Sequence, residues 1–504
     1  MISPLVERFL EQVRERPGQE AVVLGRRSLT YAGLAARMLV CSDHLRSRGV
    51  GAGDRVLLFV PPGPELYALL LATWRVGAVA VFVDAWTSRN RLGRVVALTS
   101  PRLFVGVPKA HLLRLLDAEV RRVPASLWWN DRGGSSDPRP PAEVSAESTA
   151  LVTFTTGSTG APKGADRSHR FLLAQHRTLL RTLATRPGSR DLATLPIFGL
   201  HDLAAGATCH LAPIDPARPD RFDVNAFNAQ LRRSDTSAGS PAVYLSAARR
   251  MERPDPTIEA RIHLGGAAVF PETIATLSKA YPNARWEAVY GSTEAEPIAV
   301  MDGQELAKWS GAFERGLPAG RPSPDISVRI LSPCDGPLEA STERELDLLE
   351  VPPGEIGEIA VAGAHVLTRY WNDPEAELRH KIRTDERIWH RTGDAGRLDS
   401  DGCLYLHGRI SERIQQGGRV HYPLDFERRL RSLEGVDAGC LVSRGETVVV
   451  AVQPLAGRDR AMLRDRLEAM PWPFPVEIVL CAIPRDPRHR SKLDTALLRR
   501  RLGI

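Results

Sequence analysis

From residue 20 onward, short apolar runs rich in β-branched residues alternate with segments whose apolar positions recur at helical spacing. The runs 21–24, 55–60, 78–83 and 102–107 read as strands, with helices predicted after Thr30, from Pro64 and between the last two runs. Such alternation is the mark of βαβ units, which bury a parallel sheet under helices. The stretch 128–146 (WWNDRGGSSDPRPPAEVSA) is polar and rich in Pro, Gly and Ser, so it reads as a loop joining two lobes. A second α/β stretch continues to about residue 408. Beyond it the pattern predicts a Gly417-Gly418 turn, helices at 423–433 and about 458–470, strands near 439–442, 447–452 and 476–482, and a terminal helix. The expected fold class is therefore α/β, a large multi-lobed N-terminal domain (1–408) followed by a small α+β domain (409–504).

Composition narrows the function classes. With 504 residues, 43% apolar and 25% charged, the chain can bury several cores and needs no disulfide staples. Its six cysteines (41, 209, 334, 403, 440, 481) form no CxxC pair, which suggests a reducing, cytoplasmic setting. The first ten residues include Glu7 and Arg8 and lack a signal-peptide pattern, so export is not expected. Pro61, Pro62, Gly63, Pro64, Glu65 and Arg75 interrupt the most apolar stretch, leaving no candidate transmembrane helix. A formal charge of +7 keeps a nucleic-acid binder using the basic stretch 485–501 as a contrasting reading, but acids and bases interleave along the whole chain, so no nucleic-acid partner is expected. Only six of the 67 basic residues are lysines, so each lysine is informative.

Candidate chemistry begins at 151–164 (LVTFTTGSTGAPKG), a β-prone run followed by a hydroxyl- and glycine-rich turn. Gly157, Gly160 and Gly164 let backbone N–H groups converge on an anion, Thr155, Thr156, Ser158 and Thr159 add hydroxyl donors, and Lys163 adds charge. It is not a Walker A loop, because Pro162 stands where the glycine before the lysine is needed. The plain alternative is a surface loop; the preceding strand and the length of the pattern favour a phosphate cradle. Further on, Glu294 follows a Gly-Ser-Thr turn, where a carboxylate suits Mg²⁺ bound to a phosphate chain; Glu296 beside it is a rival. Asp394 ends a Thr-Gly turn and could equally be an Asx-turn residue. Lys492 stands among arginines, where a solvated lysine is the plain reading.

TTGSTGAPKG resembles the phosphate loop of the adenylate-forming superfamily, which includes acyl-CoA synthetases, peptide-synthetase adenylation domains and luciferases. Four more segments resemble the family's motifs in the family's order: Tyr290-Gly-Ser-Thr-Glu294, His390-Arg-Thr-Gly-Asp394, Gly408-Arg409 and Ser491-Lys492-Leu-Asp. Together they cover about 20 to 500. The segments 486–492, 389–394 and 239–242 also resemble bacterial fatty-acid-CoA-ligase-like proteins, a group that includes the β-lactone synthetases of olefin biosynthesis.

The resemblance implies a mobile C-terminal domain closing over an ATP site. It implies that Lys492, Glu294 and Thr293 are catalytic, with Glu294 also the Mg²⁺ ligand. ATP would contact Thr155, Thr156, Gly157, Ser158, Thr159, Gly160, Lys163, Gly265, Gly266, Ala267, Tyr290, Gly291, Ser292, Asp394 and Arg409. Phe198, Leu200, His201 and Ser240 would line the acyl pocket, although Gly199 stands where the family often has a histidine, and a buried, satisfied His201 is an equal alternative. Ser411 would be the hinge, departing from the family's Asp or Lys, and Gln415 stands where many acyl-CoA synthetases have Lys. The expected reaction is ATP-dependent conversion of a carboxylic acid, fatty or 3-hydroxy fatty, to an acyl-adenylate with loss of pyrophosphate. Transfer to CoA or an acyl carrier protein is narrowly favoured over CoA-independent β-lactone closure.

Overall fold

The computed structural model describes residues 1–83, 89–129, 135–156, 162–215, 221–486 and 491–504. The predicted βαβ alternation is present. Strands Arg55–Phe59, Val79–Phe82, Leu103–Gly106 and Ala125–Trp128 pair in parallel, Thr149–Thr156 joins beside Val79–Phe82, and Pro162–Ser168 folds back antiparallel on it. Val56, Leu57 and Leu58 have no exposure, as expected for a strand covered on both faces. The interrupted apolar stretch becomes the helix Pro64–Arg75, of which every residue but Glu65 is buried. A helix with so few polar positions is one packed on nearly all sides, and among the described residues no helix is long and apolar enough to cross a membrane.

The predicted inter-lobe loop behaves differently. The strands on either side of it, Ala125–Trp128 and Thr149–Thr156, belong to the same six-stranded sheet, so the segment returns the chain to that sheet. It is also packed: the Asp137 carboxylate accepts from Arg75 Nη1 at 2.8 Å and Arg139 Nε at 2.8 Å, with Arg46 Nε at 3.0 Å. Burial opposes that charge, but the three guanidinium groups outweigh it and hold Asp137 below the usual carboxylate range. Composition signals a loop, yet cannot show that one of its acids is an anchor.

A second sheet carries fourteen strands among the described residues. In one half Glu20–Leu24, Thr208–Leu211, Arg190–Ala193, Thr236–Gly239, Arg261–Leu264 and Arg285–Ser292 run parallel. The other half is antiparallel, through Ala295–Asp302, Leu317–Pro322, Leu404–Arg409, Ile388–Leu398, Gly357–Gly363 and Ile326–Leu331. The buried pair Arg391–Glu358, 2.6 Å apart, ties two of these strands.

The C-terminal α+β unit forms as predicted. Strands Val436–Arg444, Thr447–Pro454 and Val476–Leu480 make one sheet, with helices Pro423–Arg431, Arg460–Glu468 and Thr495–Leu502. Ahead of it, Ile414–Gln416 and Arg419–His421 form a hairpin whose two turn residues, Gly417 and Gly418, have φ of 58° and 73°. A two-residue turn with both φ positive is the type that matches strand twist, and glycine adopts it without steric cost.

Three imidazoles are buried against the helix His169–Thr182. His169 Nδ1 lies 3.1 Å from Ser3 Oγ, His176 Nδ1 3.0 Å from His201 Nδ1, and His201 Nε2 3.0 Å from Thr185 Oγ1. Two facing nitrogens at that distance require one donor and one acceptor, so the accepting ring is neutral. Burial pushes His169 and His176 down to about 4, and His201 well below its ordinary value. Because the folded values lie below the unfolded one of about 6.5, the stabilisation is complete above that pH and is lost as pH falls toward about 4. The melting temperature should therefore fall as pH is lowered through that window, and His176→Gln should shrink the fall; a flat profile from neutrality to about pH 5 would contradict this.

Candidate functional site

A cavity of about 950 Å³ is walled by both large sheets and by the C-terminal unit. Leu66, Leu70, Leu179, Leu183, Phe198 and Leu200 make an apolar part, whereas Lys163, Glu294, Thr392, Arg409 and Lys492 contribute polar groups. A carboxylic acid with an apolar body and a phosphate-bearing ligand could thus lie side by side.

The polar part is braced from below. Tyr370 donates its hydroxyl to Glu294 Oε1 at 3.1 Å, fixing the carboxylate's orientation. Lys163 Nζ lies 2.7 Å from His380 Nε2. Burial and the charge of Lys163 push His380 down to about 4, so the neutral ring accepts from the ammonium. Burial also lowers Lys163, with Glu294 and Asp373 opposing the shift. Beneath them Lys381 is buried, donates to Leu367 O and lies 5.2 Å from the centre of the Tyr370 ring; burial drives it down to about 7 against the pull of Glu294 and Glu377.

Two motifs 15 residues apart become neighbours because Asp394 and Arg409 are Cα partners on adjacent antiparallel strands. Arg409 Nη1 lies 3.1 Å from Asp394 Oδ1, and Tyr290 donates to Asp394 Oδ2 at 2.8 Å. The preceding Gly393 has φ of 73°, the left-handed conformation that turns the strand. Behind it, Glu358 accepts from the backbone N–H of Gly393 at 3.2 Å and is held by Arg391, which also donates to Cys334 O and Gly336 O at 2.6 Å each.

Lys492 reaches the cavity from the C-terminal unit. Its segment is closed by a backbone pair with Asp486: Lys492 N–H donates to Asp486 Oδ1 at 3.0 Å and Asp486 N–H to Lys492 O at 2.9 Å. Ala242 N–H donates to Ser491 Oγ at 3.2 Å, and Thr495 donates to Glu412 Oε1 at 2.7 Å. These contacts join the lysine segment to Ala242 of the large domain on one side and to Glu412 on the other.

The structure brings most of the expected residues together. Gly265, Gly266, Gly291, Ser292, Thr293, Glu294, Lys163, Arg409, Lys492, Phe198, Leu200, Ser240 and Ser411 all line the cavity. Thr155 and Thr156 end the strand Thr149–Thr156, and Gly157, Ser158, Thr159 and Gly160 fall outside the described residues. Ala267, Tyr290 and Asp394 are not lining residues; the last two stand behind Arg409 and Thr392. His201 is the one acyl-pocket assignment that the geometry moves elsewhere: it is spent on His176 and Thr185 and borders a separate small hollow.

Sequence reasoning missed Tyr370, His380 and Lys381, and named Arg391 only as part of the segment 390–394. The scarcity of lysine could have pointed to Lys381, and hence to the neighbouring His380. Nothing local marks Tyr370, which reaches Glu294 only through the tertiary fold.

Comparison with known proteins agrees with this geometry. The AMP-binding enzyme family matches residues 9–371. An olefin beta-lactone synthetase of Stenotrophomonas maltophilia is 32% identical, over 97% of this chain and 96% of that one. A feruloyl-CoA synthase of Amycolatopsis sp. is 29% identical, over 98% of each. The crystal structure of ATP-bound MatB from Rhodopseudomonas palustris superposes with a TM-score of 0.83 over 99% of each chain at 22% identity, a likeness of fold. The chain belongs to the AMP-binding enzyme family. It is an adenylate-forming ligase that uses ATP to activate a carboxylic acid.

Gly199 explains the departure noted in the sequence. A Cβ there would lie 2.2 Å from the Tyr67 hydroxyl, which is buried and donates to Pro196 O at 2.9 Å. No side chain fits while Tyr67 holds this place. Gly199→Ala should cost about 1–3 kcal/mol of stability through overpacking and raise KM for the acid; an unchanged melting temperature would show that Tyr67 yields freely.

Proposed function

We propose that this enzyme activates an apolar carboxylic acid bearing a 3-hydroxyl and closes it to a β-lactone. The observation that carries the reading is that Lys492 faces the same cavity as the apolar wall of Phe198 and Leu200 and the polar set of Lys163 and Glu294. One carboxylate oxygen of the acid attacks the α-phosphorus of ATP, the bond to the bridging oxygen of the β-phosphate breaks, and pyrophosphate leaves. Lys492, a compact flexible cation, neutralises charge between the incoming carboxylate and the α-phosphate. Lys163 and the 157–160 segment would hold the phosphates, Gly265 and Gly266 would face the adenine, and Arg409, braced by Asp394, would serve the ribose.

Mg²⁺ fits the donor set, since that ion takes one or two carboxylates and completes its shell with phosphate and water oxygens. Glu294, oriented by Tyr370, would hold it, and it would supply charge neutralisation for the phosphates.

In the second step the 3-hydroxyl oxygen attacks the activated carbonyl carbon, the bond to AMP breaks, and the hydroxyl proton passes to water. Intramolecular attack has a high effective molarity, part of which ring strain offsets. Similarity to the olefin beta-lactone synthetase over nearly the whole chain supports this acceptor, as does Gln415 in place of lysine. A second reading, thioester formation with CoA, is supported by the Gly417–Gly418 hairpin beside the hinge at Ser411 and by the feruloyl-CoA synthase relative. In either case the domains would divide near 408/409, so that residues 409–504 turn as a body.

The deciding assay incubates the enzyme with ATP, Mg²⁺ and a long-chain 3-hydroxy acid, with and without CoA, and follows AMP and products by mass. CoA-independent formation of a species one water lighter than the acid is expected; a product that requires CoA would establish the second reading. Lys492→Ala should lower pyrophosphate release by about 100-fold or more while ATP binding persists, and near wild-type release would remove Lys492 from the mechanism.

A further inference from the structure

The six-stranded sheet ends on an apolar surface. Next to its edge strand the helix Pro108–Leu116 buries Ala110 and His111, yet Leu112, Leu115 and Leu116 are 59%, 67% and 53% exposed. Residues three and four apart share a helix face, so the three leucines form one stripe. Trp128 extends it: this residue ends the edge strand Ala125–Trp128, is 58% exposed, and lies flat on His111 with ring centres 4.3 Å apart. His111 stands one turn before Leu115, and its Nε2 lies 3.1 Å from Leu127 O, so the indole rests on a ring that is itself held in place. Among the described residues nine large apolar side chains are exposed, and four of them gather here. Single exposed apolar residues need no explanation, whereas a cluster marks an interaction surface.

The surroundings of the stripe are basic, with four basic and two acidic side chains in residues 107–128. Both acids are committed locally: Asp117 accepts from the N–H groups of Glu119 and Val120 at 2.9 and 3.2 Å, and Glu119 is paired with Arg122 at 2.6 Å. Lys109, three residues before Leu112 and hence on the leucine face, is exposed, as is Arg121 on the next short helix. Leucines with an aromatic residue and flanking cations suit the headgroup–acyl boundary of an anionic bilayer, where the apolar groups leave water and the cations meet lipid phosphates. A second copy of this chain fits less well, because a symmetric contact would set the same cations against one another. Val107, the residue before the helix, lines the cavity with Phe59 and Val83, so the exposed face and the cavity belong to one structural unit. We propose that the helix Pro108–Leu116 and Trp128 dock this enzyme reversibly on an anionic membrane surface, the three leucines and the indole entering the boundary while Lys109 and Arg121 face the lipid phosphates. The docking goes beyond the adenylating function and does not depend on it.

The test is co-sedimentation of the full chain with vesicles of mixed phosphatidylglycerol and phosphatidylcholine, set against vesicles of phosphatidylcholine alone. Wild type should bind the anionic vesicles about tenfold or more tightly than the neutral ones. Leu112→Ser combined with Leu115→Ser should weaken that binding by roughly tenfold, and Lys109→Gln combined with Arg121→Gln by roughly fivefold for each charge removed. All four side chains are exposed, so the melting temperature and the adenylating activity of both variants should stay near wild type. No binding to anionic vesicles, equal binding to both kinds of vesicle, or binding that either variant retains in full would overturn the inference. Self-association of the wild type that the leucine variant loses, with no vesicle binding, would overturn it as well and make a second copy the partner.

Discussion

The seat of one arginine determines where Lys492 stands. Arg428, on the helix Pro423–Arg431, is 5% exposed and inserts its guanidinium into the large domain. It donates to Gly316 O at 2.8 Å and to Gly311 O, with its carbon 4.1 Å from the centre of the Trp309 ring. A buried cation has to find acceptors, and these carbonyls are available because Gly316, with φ of 81°, lies against His407 where a Cβ would clash. Arg431, one turn on, covers the Phe270 ring. With the helix docked in this way, the segment bearing Lys492 is carried against Ala242 and Glu412, and the cavity gains its last polar wall.

The cavity gathers ionic groups into one space, and the surrounding structure supports them in pairs. Lys163 rests on a neutral His380, Glu294 on Tyr370, Asp394 on Tyr290 and Arg409, and the Thr-Gly turn on Glu358 and Arg391. Each pair restricts rotation of a charged side chain before any ligand arrives. Stabilising charge that develops during reaction depends on such preorganisation, since groups already in place need no reorientation at the barrier. Behind the apolar part steric exclusion acts instead: Tyr67 fills the space that a side chain at position 199 would need, next to the wall residues Phe198 and Leu200.

The fold was legible in the sequence to the extent that it rests on local periodicity. The strands at 55–60, 78–83 and 102–107, the helix from Pro64 and the whole α+β order after residue 417 follow from alternation, helical spacing and turn glycines, which act over a few residues. The motif segments were legible too, because their residue types suit phosphates and metals wherever the chain puts them. Less legible was the stretch around 137, where a polar, proline-rich composition concealed a buried anchor for Arg75.

What the sequence by itself determined, then, is the class of chemistry and the order of the elements that carry it. Only the tertiary structure decided which side chains share the cavity. It sent His201 to His176, brought Tyr370 under Glu294 across 76 residues, and set Asp394 opposite Arg409. It also put His263, unremarkable in the chain, on the cavity wall. The reason is physical: propensity and periodicity act between neighbours along the chain, whereas the partner of a buried polar group is chosen by packing between elements far apart in sequence.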